Sequence, residues 1–271
     1  MRTPWRGYRV VMSVEVPMTV PEGLRPLVEA VSVLRAEDPA AGERPPLVHL
    51  PDPGTSLIFR TTCAGHSDLL VIGPRTRASY HVGKDLPFCL RLRLRPGATR
   101  PLLGVPVSEV VDRVVRLGDL WGASCDPLTA ALRHADGDHG LVLRHLEAAL
   151  PARLSTDGAR RELVQAAVRA LRGRTGARRE PLPALARHLA VSERHLRGLF
   201  ADAVGLSPKR YERIERVRSA LALGRADGRW ADLATATGYY DQSHMTAEFR
   251  TLMGVTPAAF FQGRLPALQP C

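Results

Sequence analysis

The strongest constraint on the fold of this chain is a repeat near its C-terminus. Residues 195–200 (HLRGLF) and then 205–208 (GLSP) recur as residues 244–249 (HMTAEF) and then 254–257 (GVTP), always 49 positions later. In both copies a histidine, a phenylalanine, a glycine and a Ser/Thr-Pro pair keep the same spacing. This regularity indicates two copies of one helix-containing unit.

The first copy has the pattern of a helix-turn-helix unit. A short helix is predicted over Pro183–Leu189, a turn at Ala190 and Val191, and a second helix over Glu193–Ala203 with Ser192 as its N-cap. The apolar side chains of the second helix share one face, as in a recognition helix packed from behind. The opposite, outward face carries Glu193, Arg194, Arg197, Gly198 and Ala201.

The second copy repeats this arrangement. A supporting helix is predicted over Ala231–Thr237, a turn at Gly238, Tyr239 and Tyr240, and a recognition helix over Gln242–Met253 with Asp241 as its N-cap. Its inward residues are Met245, Phe249 and Leu252, and its outward residues are Gln242, Ser243, Thr246, Ala247 and Arg250. Glu248 is expected nearer the edge of this face.

A long helix is predicted between the two units. Ser207 and Pro208 form a cap and a first helical position, and the apolar spacing continues through Leu223, which gives a helix of about 22 Å. Such a strut could hold two recognition helices about one DNA turn apart, roughly 34 Å. We therefore expect the helices at about residues 192–203 and 241–253 to enter successive major grooves.

The charge of the chain favours a polyanionic partner. The net charge is +11, and residues 155–271 hold 19 Lys/Arg against 11 Asp/Glu, a net charge of +8 for that segment. A basic surplus beside the repeat attracts nucleic acid, although an arginine-rich proteome would give the same composition.

The residues of the repeat resemble the AraC/XylS family of bacterial transcription regulators. The resemblance covers about residues 160–262, and its most specific part is the segment 238–250 (GYYDQSHMTAEFR) followed by 254–257 (GVTP). The first unit matches the family pattern less closely, since Ala190 stands where a turn glycine is common. The segments 71–74 (VIGP), 94–97 (LRPG) and 102–106 (LLGVP) are similar to the sensing domain of some actinobacterial members.

The resemblance implies a set of DNA-contacting residues. Those expected to read bases are Arg194, Arg197, Gln242, Ser243 and Thr246. Arginine can donate two hydrogen bonds to guanine and glutamine can pair with adenine. Those expected to contact the DNA backbone are Arg210, Arg213, His244 and Arg250. A packed, structural role stays open for both repeat histidines, and the small residues Gly198 and Ala247 reduce the side-chain readout.

The resemblance also implies partners and a location. Double-stranded DNA is the expected partner, with RNA polymerase, a small-molecule effector in the N-terminal domain and a homodimer partner as further expectations. The chain has no apolar run of the roughly 18 residues that a membrane span needs, so we expect a cytoplasmic protein. No cofactor, metal or catalytic residue is expected.

The N-terminal half reads as strands followed by helices. Strands are predicted over Leu47–Leu50, Ser56–Arg60, Leu69–Ile72, Ala78–Val82 and Phe88–Leu94. From Pro106 the valines follow a helical spacing, and further helices are predicted over Leu141–Leu154 and Ala159–Leu171. The alternation of residues 90–95 (LRLRLR) places three arginines on a solvated face, or, alternatively, on an anionic effector.

The predicted fold class is therefore α+β. Residues 1–154 form a sensing or oligomerisation domain with a small β-sheet or sandwich and helices, and residues 155–271 form an all-α domain of two helix-turn-helix units. A third interpretation is an effector-free regulator whose N-terminal half only dimerises or covers the DNA-binding surface.

Two enzyme classes remain as alternatives. A sheet with His49, His66 and His81 could hold a cupin-like metal site, but these histidines lack ligand spacing. A DNA alkyl-repair protein would need an activated cysteine, and Cys63 and Cys89 have no adjacent cationic motif. All four cysteines, Cys63, Cys89, Cys125 and Cys271, also lack the pairing of a zinc module or a disulfide framework, and their role is left open.

Overall fold

The computed structural model describes residues 14–35, 46–62, 65–82, 88–135, 137–154, 157–172, 180–224 and 228–269. It contains an N-terminal region built on an antiparallel sheet and a C-terminal helical region, so the α+β class is confirmed. No helix in these ranges is both long and apolar enough to cross a membrane.

The N-terminal region holds a six-stranded sheet and a separate two-stranded ribbon. The strands are β1 (Val14–Met18), β2 (Val28–Arg35), β3 (Leu47–His49), β4 (Ser56–Thr61), β5 (Ser67–Ile72), β6 (Ser79–His81), β7 (Phe88–Leu94) and β8 (Val114–Arg116). The sheet has the order β1-β2-β7-β4-β5-β8, and the ribbon pairs β3 with β6. All five predicted strands are confirmed, whereas β1, β2 and β8 were missed.

One face of the sheet is buried against helices from the same half of the chain. These helices are α1 (Thr99–Leu103), α2 (Leu117–Trp121), α3 (Asp126–Arg133) and α4 (His139–Ala149). Leu57, Val71, Leu90 and Leu92 are fully buried beneath them. The sequence predicted a helix to Leu154, but α4 ends at Ala149 and a 3-10 turn follows over Pro151–Arg153.

The prediction of a helix after Pro106 is wrong for the second half of its valine stripe. A 3-10 turn covers Val107–Val110, and the chain then becomes extended and forms β8. Asp112 interrupts the helical path at a φ of +55°, and its carboxylate accepts hydrogen bonds from the backbone N–H and the hydroxyl of Thr76, both at 2.6 Å. The β-branched valines then pair with β5, a position that suits their stiff side chains.

The C-terminal region contains seven helices within the described residues. They are α5 (Gly158–Arg172), α6 (Leu182–His188), α7 (Glu193–Val204), α8 (Pro208–Leu223), α9 (Trp230–Ala236), α10 (Gln242–Met253) and α11 (Pro257–Phe261). The pairs α6–α7 and α9–α10 are the two predicted helix-turn-helix units, and α8 is the predicted strut. Its 16 residues give a length of about 24 Å.

The turns of the two units differ by one residue. In the first unit Val191 N–H donates to the Ala186 carbonyl, and in the second Tyr239 N–H donates to the Ala234 carbonyl, an offset of 48. The recognition helices themselves begin 49 residues apart, so the second turn is one residue longer. The residue at positive φ is Ala190 in the first turn, at +54°, and Gly238 in the second, at +78°.

Each unit has its own hydrophobic cluster. The first unit packs on α5, with Leu196, Leu199 and Phe200 buried against Val168 and Leu171. The second unit buries Met245, Phe249 and Leu252, and this cluster includes Val48 and Tyr80 from the β3–β6 ribbon of the N-terminal half. A piece of the N-terminal half therefore completes the core of the second unit.

The arginines of β7 are not on a solvated face, as the first interpretation of their alternation expected. The side chains of Arg91 and Arg93 are only 17% and 18% exposed, because helix α8 and the segment around Asp52 cover that face of the sheet. Asp52 accepts two hydrogen bonds from Arg93, at 2.7 and 2.8 Å, and one from Arg91, at 3.0 Å. Arg218 of α8 lies 3.8 Å from the same carboxylate.

Candidate nucleic-acid interface

The first recognition helix, α7, begins at the predicted cap and exposes the predicted arginines. Ser192 Oγ accepts a hydrogen bond from His195 N–H at 3.1 Å, which satisfies one of the free donors of the first turn. Arg194 and Arg197 are exposed, and Arg197 donates to Glu193 at 2.9 Å. An exposed ion pair of this kind is weak, so the Arg197 guanidinium can exchange Glu193 for another acceptor.

The second recognition helix, α10, matches the predicted bounds of Gln242–Met253. Asp241 Oδ1 accepts a hydrogen bond from His244 N–H at 2.7 Å and caps the helix. Gln242 and Ser243 are exposed at the first turn, and Thr246 is half-buried one turn further on. The helix N-terminus adds partial positive charge where these side chains lie.

Of the predicted backbone contacts, Arg210 and Arg250 are exposed, whereas Arg213 is engaged within the domain. Arg213 donates to the Glu248 carboxylate at 3.0 Å, and Arg216 donates to both oxygens of the same carboxylate, at 3.1 and 3.0 Å. Glu248 is buried, and not at the edge of the helix as expected. This group clamps α10 to α8, and the assignment of Arg213 to a phosphate remains a prediction.

The repeat histidines differ in their surroundings. His195 is exposed at the start of α7. His244 is also exposed, but its ring lies against that of Tyr239, with 5.4 Å between centroids and an angle of 89°. The structure thus gives His244 a packing contact in addition to its predicted role at the DNA backbone.

Sequence reasoning missed one exposed aromatic residue. Tyr240 is 91% exposed in the turn of the second unit, directly before the cap of α10. The sequence signal for this residue was its place beside the cap residue. Gly198 and Ala247 are exposed as well, so the middle of each recognition helix carries a small side chain.

The residues of the alternative enzyme sites can be located where the structure describes them. The rings of His49 and His81 lie 5.4 Å apart on the ribbon, and among the described residues no three His, Cys, Asp or Glu side chains could hold a metal together. Burial raises the pKa of the Cys89 thiol to about 11, which disfavours the thiolate. Cys125 is also buried, and Cys63 and Cys271 lie outside the described residues.

Two capped helices, presented by paired units and joined through one strut, define a protein of the helix-turn-helix class. A family model described as a helix-turn-helix domain matches residues 185–263. A second model, a domain of unknown function (DUF6597), matches residues 19–116. The C-terminal region is therefore a helix-turn-helix domain, in the part of the chain where the sequence predicted the two units.

Solved structures give the following likenesses. The C-terminal domain of AraT, a response regulator from Geobacillus stearothermophilus, is 22% identical, with a TM-score of 0.35 over 39% of this chain and 88% of that one. The DNA-binding domain of AdpA in complex with a target DNA is 23% identical, with a TM-score of 0.32 over 38% and 90%. ToxT from Vibrio cholerae is 8% identical, with a TM-score of 0.40 over 86% and 95%. No curated protein matches the chain.

Proposed function

We propose that this protein is a sequence-specific DNA-binding transcriptional regulator, which inserts α7 and α10 into successive major grooves of one duplex. The observation that carries the proposal is the pair of capped helices with exposed polar first turns, held by one continuous helix of about 24 Å. Arg194 and Arg197 read bases in one groove, and Gln242, Ser243 and Thr246 read bases in the next.

The electrostatic setting supports the same function. Arg210 and Arg250 are exposed near the two recognition helices and can neutralise phosphates, which fixes the register of the domain without reading sequence. Arg213 joins them only if DNA binding releases it from Glu248. The net charge of +8 in residues 155–271 also favours association with DNA.

The described residues of the N-terminal half leave four of the five predicted base-reading residues exposed. Arg194, Arg197, Gln242 and Ser243 are all exposed in the whole chain. The alternative of an N-terminal half that only dimerises or covers this surface stays open. Effector binding, homodimer formation and contact with RNA polymerase rest on the family resemblance and remain predictions. The cytoplasmic location and the domain boundary at residue 154 rest on the sequence pattern, and they remain predictions as well.

The decisive experiment is selection of duplexes from a randomised DNA library by the full-length protein at two salt concentrations. We expect an enriched site with two short elements about 10 base pairs apart, because each unit reads one half-site from the same side of the duplex. Binding that falls with salt and enriches no sequence would reduce the protein to a non-specific DNA-associating domain.

A further inference from the structure

We propose that the N-terminal domain is a brace that fixes the spacing and orientation of the two recognition helices. The brace is the set of contacts that the N-terminal half makes with the first unit, the strut and the second unit. Its effect on DNA readout rests on the proposed function, whereas its effect on the geometry of the free protein does not.

The contact with the second unit is a cap on the end of its recognition helix. The last carbonyl groups of a helix have no partner within the helix. In α10, the Leu252 carbonyl accepts a hydrogen bond from Ala78 N–H at 2.7 Å, and the Met253 carbonyl accepts one from the Tyr80 hydroxyl at 2.5 Å. Tyr80 lies in β6 and Ala78 directly precedes that strand, so α10 is fixed to the N-terminal half at its C-terminal end.

The contact with the first unit also lies at the C-terminal end of its recognition helix. Asp202 of α7 pairs with Arg100 of α1 at 3.1 Å. A side-chain carbon placed on Gly205 would lie only 2.8 Å from the Val107 carbonyl oxygen, so the chain packs closely against the 3-10 turn 107–110. The two recognition helices are thus held at the same end, opposite to their base-reading first turns.

Two ion pairs join the sheet to the helices behind the units. Arg172 of α5 donates to both oxygens of Glu29 on β2, at 2.6 and 3.2 Å. Arg218 of α8 donates to the Pro51 carbonyl at 3.1 Å and lies 3.8 Å from the Asp52 carboxylate. The bidentate Arg172–Glu29 pair fixes the orientation of α5 as well as its distance from the sheet. The Arg218 contacts hold the strut against the segment around Asp52.

The need for a brace follows from the way the units are joined. Within the C-terminal region, α8 packs on α5 and α7 of the first unit and on α9 and α10 of the second. Units that share one helix are expected to move relative to each other unless a larger interface holds them. The N-terminal half supplies that interface on both sides of the strut.

The first test measures the geometry of the free, full-length protein. Spin labels on cysteines introduced at Arg187 and Thr235, which are exposed and occupy equivalent positions of α6 and α9, report the distance between the units. In this labelled background Cys63 and Cys271 are replaced by serine, so that they cannot take up the label. Cys89 and Cys125 are kept, because they are buried. We expect one narrow distance distribution for the unaltered interface.

Three further variants change the interface. Tyr80→Ala removes the ribbon contact, Tyr80→Phe removes only its hydrogen bond, and the double variant Arg172→Gln/Arg218→Gln removes both ion pairs of the helices. The control is Arg60→Gln, which breaks a partly buried ion pair with Asp68 inside the N-terminal sheet. We expect a broader or shifted distribution for Tyr80→Ala and the double variant, a smaller change for Tyr80→Phe, and none for the control.

The second test measures spacing preference with the duplexes that the wild-type protein selects. Insertion of two base pairs between the halves rotates one half-site by roughly 70° and should weaken wild-type binding about ten-fold or more. The spacing ratio is the affinity for the selected duplex divided by the affinity for the duplex with the insertion. We expect this ratio to fall several-fold in Tyr80→Ala and the double variant, with affinity for a single half-site unchanged.

The two tests separate the brace from the proposed function. Unchanged distance distributions in Tyr80→Ala and in the double variant, at temperatures where both are folded, would overturn the brace whatever the DNA result. Broadened distributions in a protein that selects no DNA sequence would keep the brace and remove the proposed readout. An unchanged spacing ratio beside broadened distributions would refute the link between the brace and DNA reading.

Discussion

At the scale of single residues, Gln242 and Arg250 lie on the same helix and are predicted to act differently. We expect Gln242→Ala to lose about 1–3 kcal/mol on the selected duplex and much less on random duplex, because a base contact is lost. Arg250→Ala should weaken binding to both duplexes alike and reduce the number of counterions released on binding, read from the salt dependence of the affinity, by about one. Equal losses of Gln242→Ala on both duplexes in a titration would refute its base-reading role.

Ala190 occupies a backbone conformation that suits glycine. Its φ of +54° places an L side chain in the left-handed region, which costs roughly 1–2 kcal/mol, while the greater freedom of glycine in the unfolded chain offsets about half of this. We therefore expect Ala190→Gly to raise the free energy of unfolding by about 0.5–1 kcal/mol, as measured by urea denaturation.

The matched control for this change is Gly238→Ala in the second turn. Gly238 has a φ of +78°, and a side-chain carbon there would have no heavy atom within 4 Å, so the effect is conformational only. This variant should lower the free energy of unfolding by about 1 kcal/mol. An equal or higher free energy of unfolding for Gly238→Ala would show that the positive φ does not determine the stability of the two turns.

Asp52 makes the stability of the molecule depend on pH. Burial would raise the pKa of this carboxyl, but the charges of Arg93 and Arg218 and the hydrogen bonds from Arg93 outweigh it and hold the pKa well below its usual range. The unfolded pKa is about 3.9, so the stabilisation is nearly complete above about pH 5 and is lost as the pH falls below about 4.

We expect the free energy of unfolding to fall more steeply between about pH 5 and 3 in the wild type than in Asp52→Asn, which cannot ionise. Burial raises the pKa of Glu215, so that group acts in the opposite direction above its unfolded pKa of about 4.3 and reduces the net slope at the upper end of this range. The exposed Asp232→Asn serves as the control and should keep the wild-type slope. Parallel slopes for Asp52→Asn and wild type in urea titrations would contradict the role of Asp52.

At the scale of elements, the cap of α10 connects helix stability with DNA reading. Asp241→Ala removes the acceptor of His244 N–H and should cost about 1 kcal/mol of stability. It should also weaken binding to the selected duplex, because the first turn that presents Gln242 and Ser243 frays. Asp241→Ser keeps an acceptor and should restore both properties.

Ser207→Ala is the comparison that separates these two effects. Ser207 caps α8 through Arg210 N–H at 3.3 Å, and its loss should cost a similar free energy of unfolding. Its helix carries no predicted base-reading residue and begins with one predicted backbone contact, Arg210, so binding at a temperature where the protein is folded should change less, and alike on selected and random duplex. Equal losses of affinity for the two cap variants would mean that stability alone accounts for them.

The recognition helices could be predicted closely because their signals are local. A cap residue, a run of apolar positions at helical spacing and a glycine at the end fix α10 within a single stretch of sequence. The valines after Pro106 carried the same spacing, but Asp112 and the pairing with β5 decide their structure. Those contacts join residues far apart in sequence, and periodicity does not reveal them.

At the scale of the whole molecule, the sequence indicated two regions but not how they meet. The alternating arginines of β7 look like a solvated face until Asp52 and Arg218 are placed beside them. Likewise, Val48 and Tyr80 looked like ordinary strand residues, and only the fold shows that they complete the second unit. The exposed first turns of α7 and α10 could be predicted from sequence because each depends on one helix.

This interface predicts the behaviour of the isolated C-terminal fragment, residues 155–271. Without the ribbon, the surface around Met253 loses the packing of Val48 and Tyr80 and two hydrogen-bond donors. We expect the amide hydrogens of α10 to exchange faster in the fragment than in the full chain, while those of α7, which keeps its cluster on α5, change less. Equal protection of α10 in both proteins, by hydrogen exchange, would contradict this.

The ribbon has a further consequence during synthesis. Residues 46–50 and 78–82 leave the ribosome before the second unit exists, since α10 ends at Met253, about 170 residues later. At a synthesis rate of about 5–20 residues per second, α10 is complete roughly 10–35 seconds after Tyr80 has been added, and Val48 was added earlier still. The nascent chain therefore exposes the apolar side chains of the ribbon through most of translation, until the second unit is complete and covers them.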